Sequence, residues 1–278
     1  MNVIGLGSAG CRVAQLFEAY PQYTVYKIDT RFPGKDADKK CHVLEEQSHP
    51  EQYEEAVPSL KKFFKSVKKE VLFITCGSGL ISGASLAVLQ QLQHCKTTIL
   101  YIKPDISLLG QINVLQEKVV HGVLQEYARS GVFDSIYTVD NTLIEEIVDT
   151  VSVAEYYQKL NELITSTLHM INVFDHASPE ISTFSALPET SRLRTVGLVS
   201  VDGEEKPFFS INNVTEKRYY YGLGRKSLED GEIFKRIKKA VKSKTTEETK
   251  SSYAIFSTDY EDDYGFCVFY SSQVQENS

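Results

Sequence analysis

The stretch that decides the fold is Val3-Ile4-Gly5-Leu6-Gly7-Ser8-Ala9-Gly10-Cys11-Arg12-Val13-Ala14. A short apolar run enters a turn bearing Gly5, Gly7 and Gly10, after which apolar residues at Val13, Ala14, Leu16 and Phe17 follow helical spacing. A strand, a glycine turn and a helix make an anion cradle. Glycines let backbone amides approach a phosphate, and the helix N-terminus adds roughly half a positive charge. The three glycines also satisfy the G-x-G-x-x-G dinucleotide fingerprint, with Asp29 about twenty residues later, where an acid would bind ribose. Asp29 is equally read as a neighbour of a nucleotide or magnesium, or as a turn former at the end of a strand.

A second turn of the same kind follows. Residues 71–75 are a continuous apolar run typical of a buried parallel strand. They lead into Cys76-Gly77-Ser78-Gly79-Leu80-Ile81-Ser82-Gly83 and then a helical pattern over 84–92, with hydroxyls at Ser78, Ser82 and Ser85 to supplement backbone donors. Neither turn is a Walker A loop, because G-x-x-x-x-G-K-[ST] is absent from both. The esterase elbow G-x-S-x-G fails at Ser78, two residues after Cys76. Strand patterns over 2–5, 25–29, 97–102 and 135–139 alternate with helical ones over 10–20 and 111–129, which predicts a doubly wound parallel α/β sheet. Residues 30–49, with Pro33 and Gly34, read as a loop.

A long helical pattern runs over 153–173, and beyond it the pattern changes. Strands are expected over 195–201, 218–221, 252–257 and 265–270, with one helix over 230–243, giving a smaller α+β lobe. The expected organisation is a nucleotide-binding lobe over 1–150, a central helix over 151–176 and the smaller lobe over 177–278, ending in a polar, mobile tail after Ser272.

Thirty basic against thirty-seven acidic residues give a net charge of -7, which disfavours nucleic acid or an anionic membrane as a direct ligand. No apolar run reaches the length of a membrane span, and the N-terminus enters a strand pattern in place of a signal peptide, so a cytoplasmic protein is expected. The five cysteines, Cys11, Cys41, Cys76, Cys95 and Cys267, lack C-x-x-C spacing, and the six histidines form no ligand pair.

Taken in order, these segments resemble the tubulin/FtsZ family over residues 2–175. Gly5 to Val13 is similar to that family's first phosphate loop, and Phe73 to Ser85 to its G-G-G-T-G-[ST]-G loop, with Ser82 at the threonine and Gly83 after it. Lys103-Pro104 matches the lysine-proline after the next strand, and 141–149 resembles N-D-R-L-L-x-[IV]-V-D. Residues 155–164 match E-A-F-R-x-A-[DN]-x-[VL]-L. The resemblance implies GTP or GDP bound with Mg2+, contacted by Gly5, Gly7, Ser8, Gly10, Cys11, Arg12, Gly77, Ser78, Gly79, Ser82 and Gly83, with Asn141 at the ribose and Asn161 at the guanine. Read without it, Asn141 is a helix cap. It also implies head-to-tail self-association into filaments.

The chain departs from the family at two places. Leu108, Leu109, Gly110 and Gln111 stand where a glutamate and an arginine approach the nucleotide. The N-x-D-x-x-D pattern after the central helix, whose acids orient the attacking water, falls near Thr183, Ser185 and Pro188, with Glu180 and Glu189 close by as solvated loop residues. Binding without efficient hydrolysis is therefore the expectation, and the catalytic residues are unassigned. The alternatives are an NAD(P)-dependent oxidoreductase using Gly5, Gly7, Gly10 and Asp29, and a nucleotide-free structural relative. The basic face Lys235, Arg236, Lys238, Lys239, Lys242 and Lys244 reads as solvated; the alternative is a partner site that, in a filament, would meet an acidic surface such as Glu261-Asp262-Asp263 of a neighbour.

Overall fold

A computed structural model describes residues 1–32, 39–148 and 152–276. The chain divides into two compact units, Met1–Thr165 with Val274–Ser278, and Ser166–Gln273. The boundary expected between 150 and 151, like Pro33, Gly34 and Asp149, lies outside the described residues.

The first unit contains, in chain order, β1 (Asn2–Leu6), α1 (Gly7–Leu16), β2 (Thr24–Asp29), β3 (Cys41–Val43), α2 (Pro50–Ala56), β4 (Glu70–Cys76), α3 (Ser85–Gln90), β5 (Lys96–Lys103), α4 (Gln111–Arg129), β6 (Ser135–Asp140) and α5 (Asn141–Glu145). The long helix α6 (Tyr156–Asp175) begins in it, and the division between units falls inside that helix. The strand order is β3-β2-β1-β4-β5-β6, and every neighbouring pair is parallel. Val3, Ile4, Phe73, Ile74, Ile99, Leu100, Ile136 and Val139 are all completely buried. Parallel strands are covered on both faces, so they read as continuous apolar runs. From β1 the chain builds outward to β2 on one side and reaches β4 on the other, so the order reverses between β1 and β4. In open α/β sheets ligands bind at the carboxyl ends of the strands flanking such a switch point.

Three details differ from the sequence reading. The loop expected over 30–49 contains β3, a three-residue edge strand held by backbone bonds from Lys27 N to Lys40 O and from Leu44 N to Asp29 O. The helix expected over 84–92 is reduced to the six-residue α3, which follows a 3-10 turn over Leu80–Ala84 and ends at Gln90. The end of the chain is docked as far as Gln275, which is 6% exposed. Its N–H donates to Gln125 Oε1 at 2.8 Å and its carbonyl accepts from Gln125 Nε2 at 3.1 Å, so one amide side chain on α4 satisfies both backbone groups.

The second unit holds β7 (Ile181–Ser182), β8 (Leu193–Val199), β9 (Glu205–Pro207), β10 (Val214–Leu223), α7 (Arg225–Glu229), α8 (Gly231–Ser243), β11 (Lys250–Ser257) and β12 (Tyr264–Ser271). Its order is β8-β12-β10-β11-β7, with β9 on β8; β10 and β11 are parallel and the other pairs antiparallel. Alternation along β10 puts Tyr219 and Tyr221 against Ile237 and Val241 of α8, while Tyr220 stacks with Phe174 on the opposite face. The basic face of α8 is solvated as expected except at Lys244, which is half-buried and lies 3.8 Å from Glu205. Arg236 pairs with Asp202 and Lys235 with Glu232, all four exposed. No helix among the described residues is long and apolar enough to cross a membrane.

Candidate functional site

β1 runs into α1 with no intervening loop. Leu6 stands at the N-cap in extended conformation and no side chain caps the helix, so its first N–H groups remain available as donors. Gly7 has φ of +71°, a left-handed conformation that disfavours any side chain. A Cβ on Gly5 would lie 2.5 Å from Gly10 O, and one on Gly10 2.4 Å from Ile74 O. Close approach of α1 to β1 and β4 thus requires both glycines.

Ser8 Oγ donates to Asp29 Oδ2 at 3.0 Å, and Thr30 N donates to Asp29 Oδ1 at 2.8 Å. Asp29, only 8% exposed, ties the end of β2 to the first turn. Cys11 Sγ contacts Gly5 O and Ile28 O at 3.4 Å, and burial pushes its thiol up to about 12, so Cys11 packs as a neutral thiol. Arg12 is exposed.

In the second turn, a Cβ on Gly77 would lie 2.0 Å from Tyr101 Oη and one on Gly83 2.0 Å from Pro50 O, whereas Gly79 meets nothing closer than Ile81 Cγ2 at 3.9 Å. Ser82 Oγ donates to Gly77 O at 2.9 Å and accepts from Gln116 Nε2 at 3.2 Å. Ser85 lies 3.5 Å from Thr75 Oγ1, and both Ser82 and Ser85 are buried. Those two hydroxyls fold the turn instead of supplementing its outward donors. Ser78, half-buried beside Cys76, and the exposed Gly79 form the accessible part. A Cβ on Gly7 would lie 2.8 Å from Ile81 Cγ2, so the two turns adjoin.

Behind the second turn lies a buried polar cluster that the sequence patterns did not single out. Tyr101 Oη donates to Glu117 Oε1 at 3.0 Å, His121 stacks on Tyr101 at 4.5 Å, and His121 Nε2 lies 3.1 Å from Thr138 Oγ1. Burial raises the Glu117 carboxyl and, more strongly, the Tyr101 phenol. The one available signal was polar residues on the inward face of an amphipathic helix.

Along the same carboxyl edge, Lys103 and Asp140 pair at 3.4 Å. Asp140 caps α5 by accepting from Thr142 N at 2.9 Å, so Asn141 is not the cap that its residue type suggested. Asn141 Oδ1 is buried without a hydrogen-bond partner among the described residues. A buried orphan acceptor is costly, and it marks a place where a ligand donor would be rewarded. Asn161 is half-buried on α6. Both asparagines lie in the first unit, with the two turns.

The positions after α6 have different work in the second unit. Thr183 Oγ1 donates to Tyr253 O at 3.2 Å and accepts from Tyr253 N at 2.9 Å. Ser185 accepts from Arg218 through its carbonyl and from Lys250 through its hydroxyl. Glu180 and Glu189 are exposed. No group of three or more His, Cys, Asp or Glu side chains among the described residues is placed to hold a metal ion.

No protein-family model and no curated relative matches the sequence. Solved structures do. TubZ of Bacillus thuringiensis serovar israelensis, in GDP-form protofilaments, superposes with TM-score 0.71 at 15% identity, over 99% of this chain and 88% of that one. The chain has the tubulin/FtsZ fold. A mutant FtsZ of M. jannaschii gives TM-score 0.70 at 13% identity, over 97% and 90% of the two chains. CetZ2 of Haloferax volcanii, a GTPγS-bound protofilament, gives 0.70 at 13%, over 97% and 92%. Coverage of nearly the whole chain brings the second unit into the tubulin/FtsZ fold, beyond the residues whose motifs resembled that family.

Proposed function

We propose that this chain binds a guanine nucleotide at the carboxyl edge of the first-unit sheet and self-associates head to tail, with hydrolysis slow or absent. The observation that carries the reading is the pair of adjoining glycine turns on the neighbouring strands β1 and β4, where the strand order reverses. The uncapped N-terminus of α1, with Gly7 and Ser8, would receive phosphate oxygens. Ser78 and Gly79 would approach from the second turn, Asn141 would accept from the ribose, and Asn161 would read the base. Magnesium would be held chiefly by the phosphates, a common arrangement for that ion.

The solved protofilaments of TubZ and CetZ2 support self-association. A head-to-tail contact extends as a filament unless it closes on itself. Slow turnover is supported by the residues after α6, since Thr183 and Ser185 are neutral and already bonded within the second unit. Phosphoryl transfer relies on positioned charge and an oriented water, and neither residue supplies a carboxylate. The partners of Asp29 favour this reading over an NAD enzyme, because both carboxylate oxygens are engaged by Ser8 and Thr30. The site of action is the cytoplasm.

Calorimetric titration with GTP, GDP and NAD tests the binding, and sedimentation with GTP against GDP tests assembly. The proposal expects guanine nucleotides to bind, NAD to fail, Asn161→Ala to weaken GTP, and GTP to drive cooperative pelleting. NAD binding that Asp29→Ala weakens would replace this reading with the oxidoreductase.

A further inference from the structure

The outer face of α4 is an apolar band left open to solvent. Five of the twelve large apolar side chains exposed among the described residues lie on α4 or in the turn after it: Ile112 (77%), Leu115 (64%), Val119 (53%), Tyr127 (41%) and Val132 (55%). At about 100° per residue, Ile112, Leu115, Val119 and Tyr127, together with the half-buried Val123, fall on one face of the helix. An amphipathic helix in a folded unit normally turns such a face inward, and a contiguous exposed band marks an interaction surface.

Beside the band are two hollows of about 190 and 330 Å3. Val119 and Val123 line the first, Tyr127 and Val132 the second, and Leu86 and Glu54 line both, so the hollows adjoin. Glu51 joins Glu54 on this rim. Neither glutamate has a cation partner among the described residues. The cations of α4, Lys118 and Arg129, project on the other side of the band, and Arg129 is paired with Glu126 at 2.6 Å.

We infer that the groove between α3 and α4 is a docking site for an amphipathic helix of another protein, one that carries lysine or arginine beside its apolar face. The apolar band and its hollows match the recurring anchors of a helix laid in a groove. The glutamate rim sets the charge of the occupant, since like charge on a partner would be repelled. That rim also argues against an anionic membrane as the occupant. The inference does not rest on the nucleotide reading: the exposed band and the glutamate rim lie outside the proposed phosphate, ribose and base contacts, although Ser82 and Gly83 of the second turn also line the first hollow.

The test uses two fluorescein-labelled synthetic helices with leucines at i, i+4, i+7 and i+11, one flanked by lysines and the other by glutamates at the same positions, read by anisotropy. The full chain is expected to bind the lysine helix at micromolar concentration and the glutamate helix at least tenfold more weakly. Leu115→Asp with Val119→Asp should weaken the lysine helix at least tenfold. Glu51→Lys with Glu54→Lys should reverse the preference. Both pairs sit on exposed positions, and an unchanged melting temperature and GTP titration show that the fold and the nucleotide site persist. Equal binding of the two helices, or of the lysine helix by parent and Asp variant, overturns the inference. So does a parent dimer that the Asp variant dissociates, which would make a second copy the occupant, or vesicle flotation that the Asp variant abolishes.

Discussion

Gly10→Ala separates a glycine needed for packing from one needed only to admit a phosphate. The added Cβ would sit 2.4 Å from the carbonyl oxygen of Ile74, in a strand held between β1 and β5. The obstacle is backbone, so relief requires α1 and β4 to part by about half an ångström or more against a closely packed interior. Overpacking of this kind costs roughly 1–3 kcal/mol, and alanine in a helix returns about 1 kcal/mol relative to glycine. Because the obstacle is backbone, the cost lies at the upper end of that range, so the net loss is about 2 kcal/mol, or roughly 4–8 °C in melting temperature at about 2–4 °C per kcal/mol. Gly122→Ala provides the opposite sign, because Gly122 lies within α4 and a methyl group added there would meet nothing within 4 Å. Its melting temperature should rise by about 2 °C. Calorimetry of both variants without nucleotide checks the pair. If Gly10→Ala melts with or above the parent, the packing argument fails and the glycine is there for the ligand alone.

Other expectations follow from the same geometry. Asn141→Ala removes a buried acceptor that lacks a partner, so the nucleotide-free protein should melt no lower than the parent while GTP affinity falls about tenfold or more, by titration. The Glu117 carboxyl is raised above 4.5 by burial, so the folded state holds its proton more tightly and stability declines as pH climbs from about 4.5 through the raised value. Glu117→Gln keeps an acceptor for Tyr101, and its stability advantage should widen across that pH range; a flat difference in melts taken against pH would contradict the assignment. Gln125→Ala removes the side chain that bonds both backbone groups of Gln275, and hydrogen exchange at the Gln275 amide should accelerate about tenfold or more.

The first-unit strands were legible because burial on both faces leaves uninterrupted apolar runs such as Val71 to Thr75. The bounds of α4, Gln111–Arg129, matched the helical spacing. Both glycine turns were visible in composition, but their division of labour was not. Whether a glycine is fixed by a neighbour's carbonyl, as at Gly10 and Gly83, or left open, as at Gly79, depends on distant residues such as Ile74 and Pro50. The helix after the second turn was overestimated at both ends: Ala84 closes a 3-10 turn held by the Ser82 bond to Gly77 and the Gly83 approach to Pro50, and beyond Gln90 the amides of Gln91 and Leu92 bond back only three residues, to Val88 and Leu89. β3 escaped notice because a three-residue edge strand containing His42 has no readable period. The docked tail was hidden for another reason: Gln125 and Gln275 satisfy one another across 150 residues of sequence.

The most direct measurement is mass analysis of nucleotide extracted from freshly purified protein, repeated on Asn161→Ala. The account predicts GDP or GTP in the parent at close to one per chain, and a marked loss in the variant. Recovery of NAD, or no nucleotide together with no thermal shift on adding GTP or GDP, would contradict it.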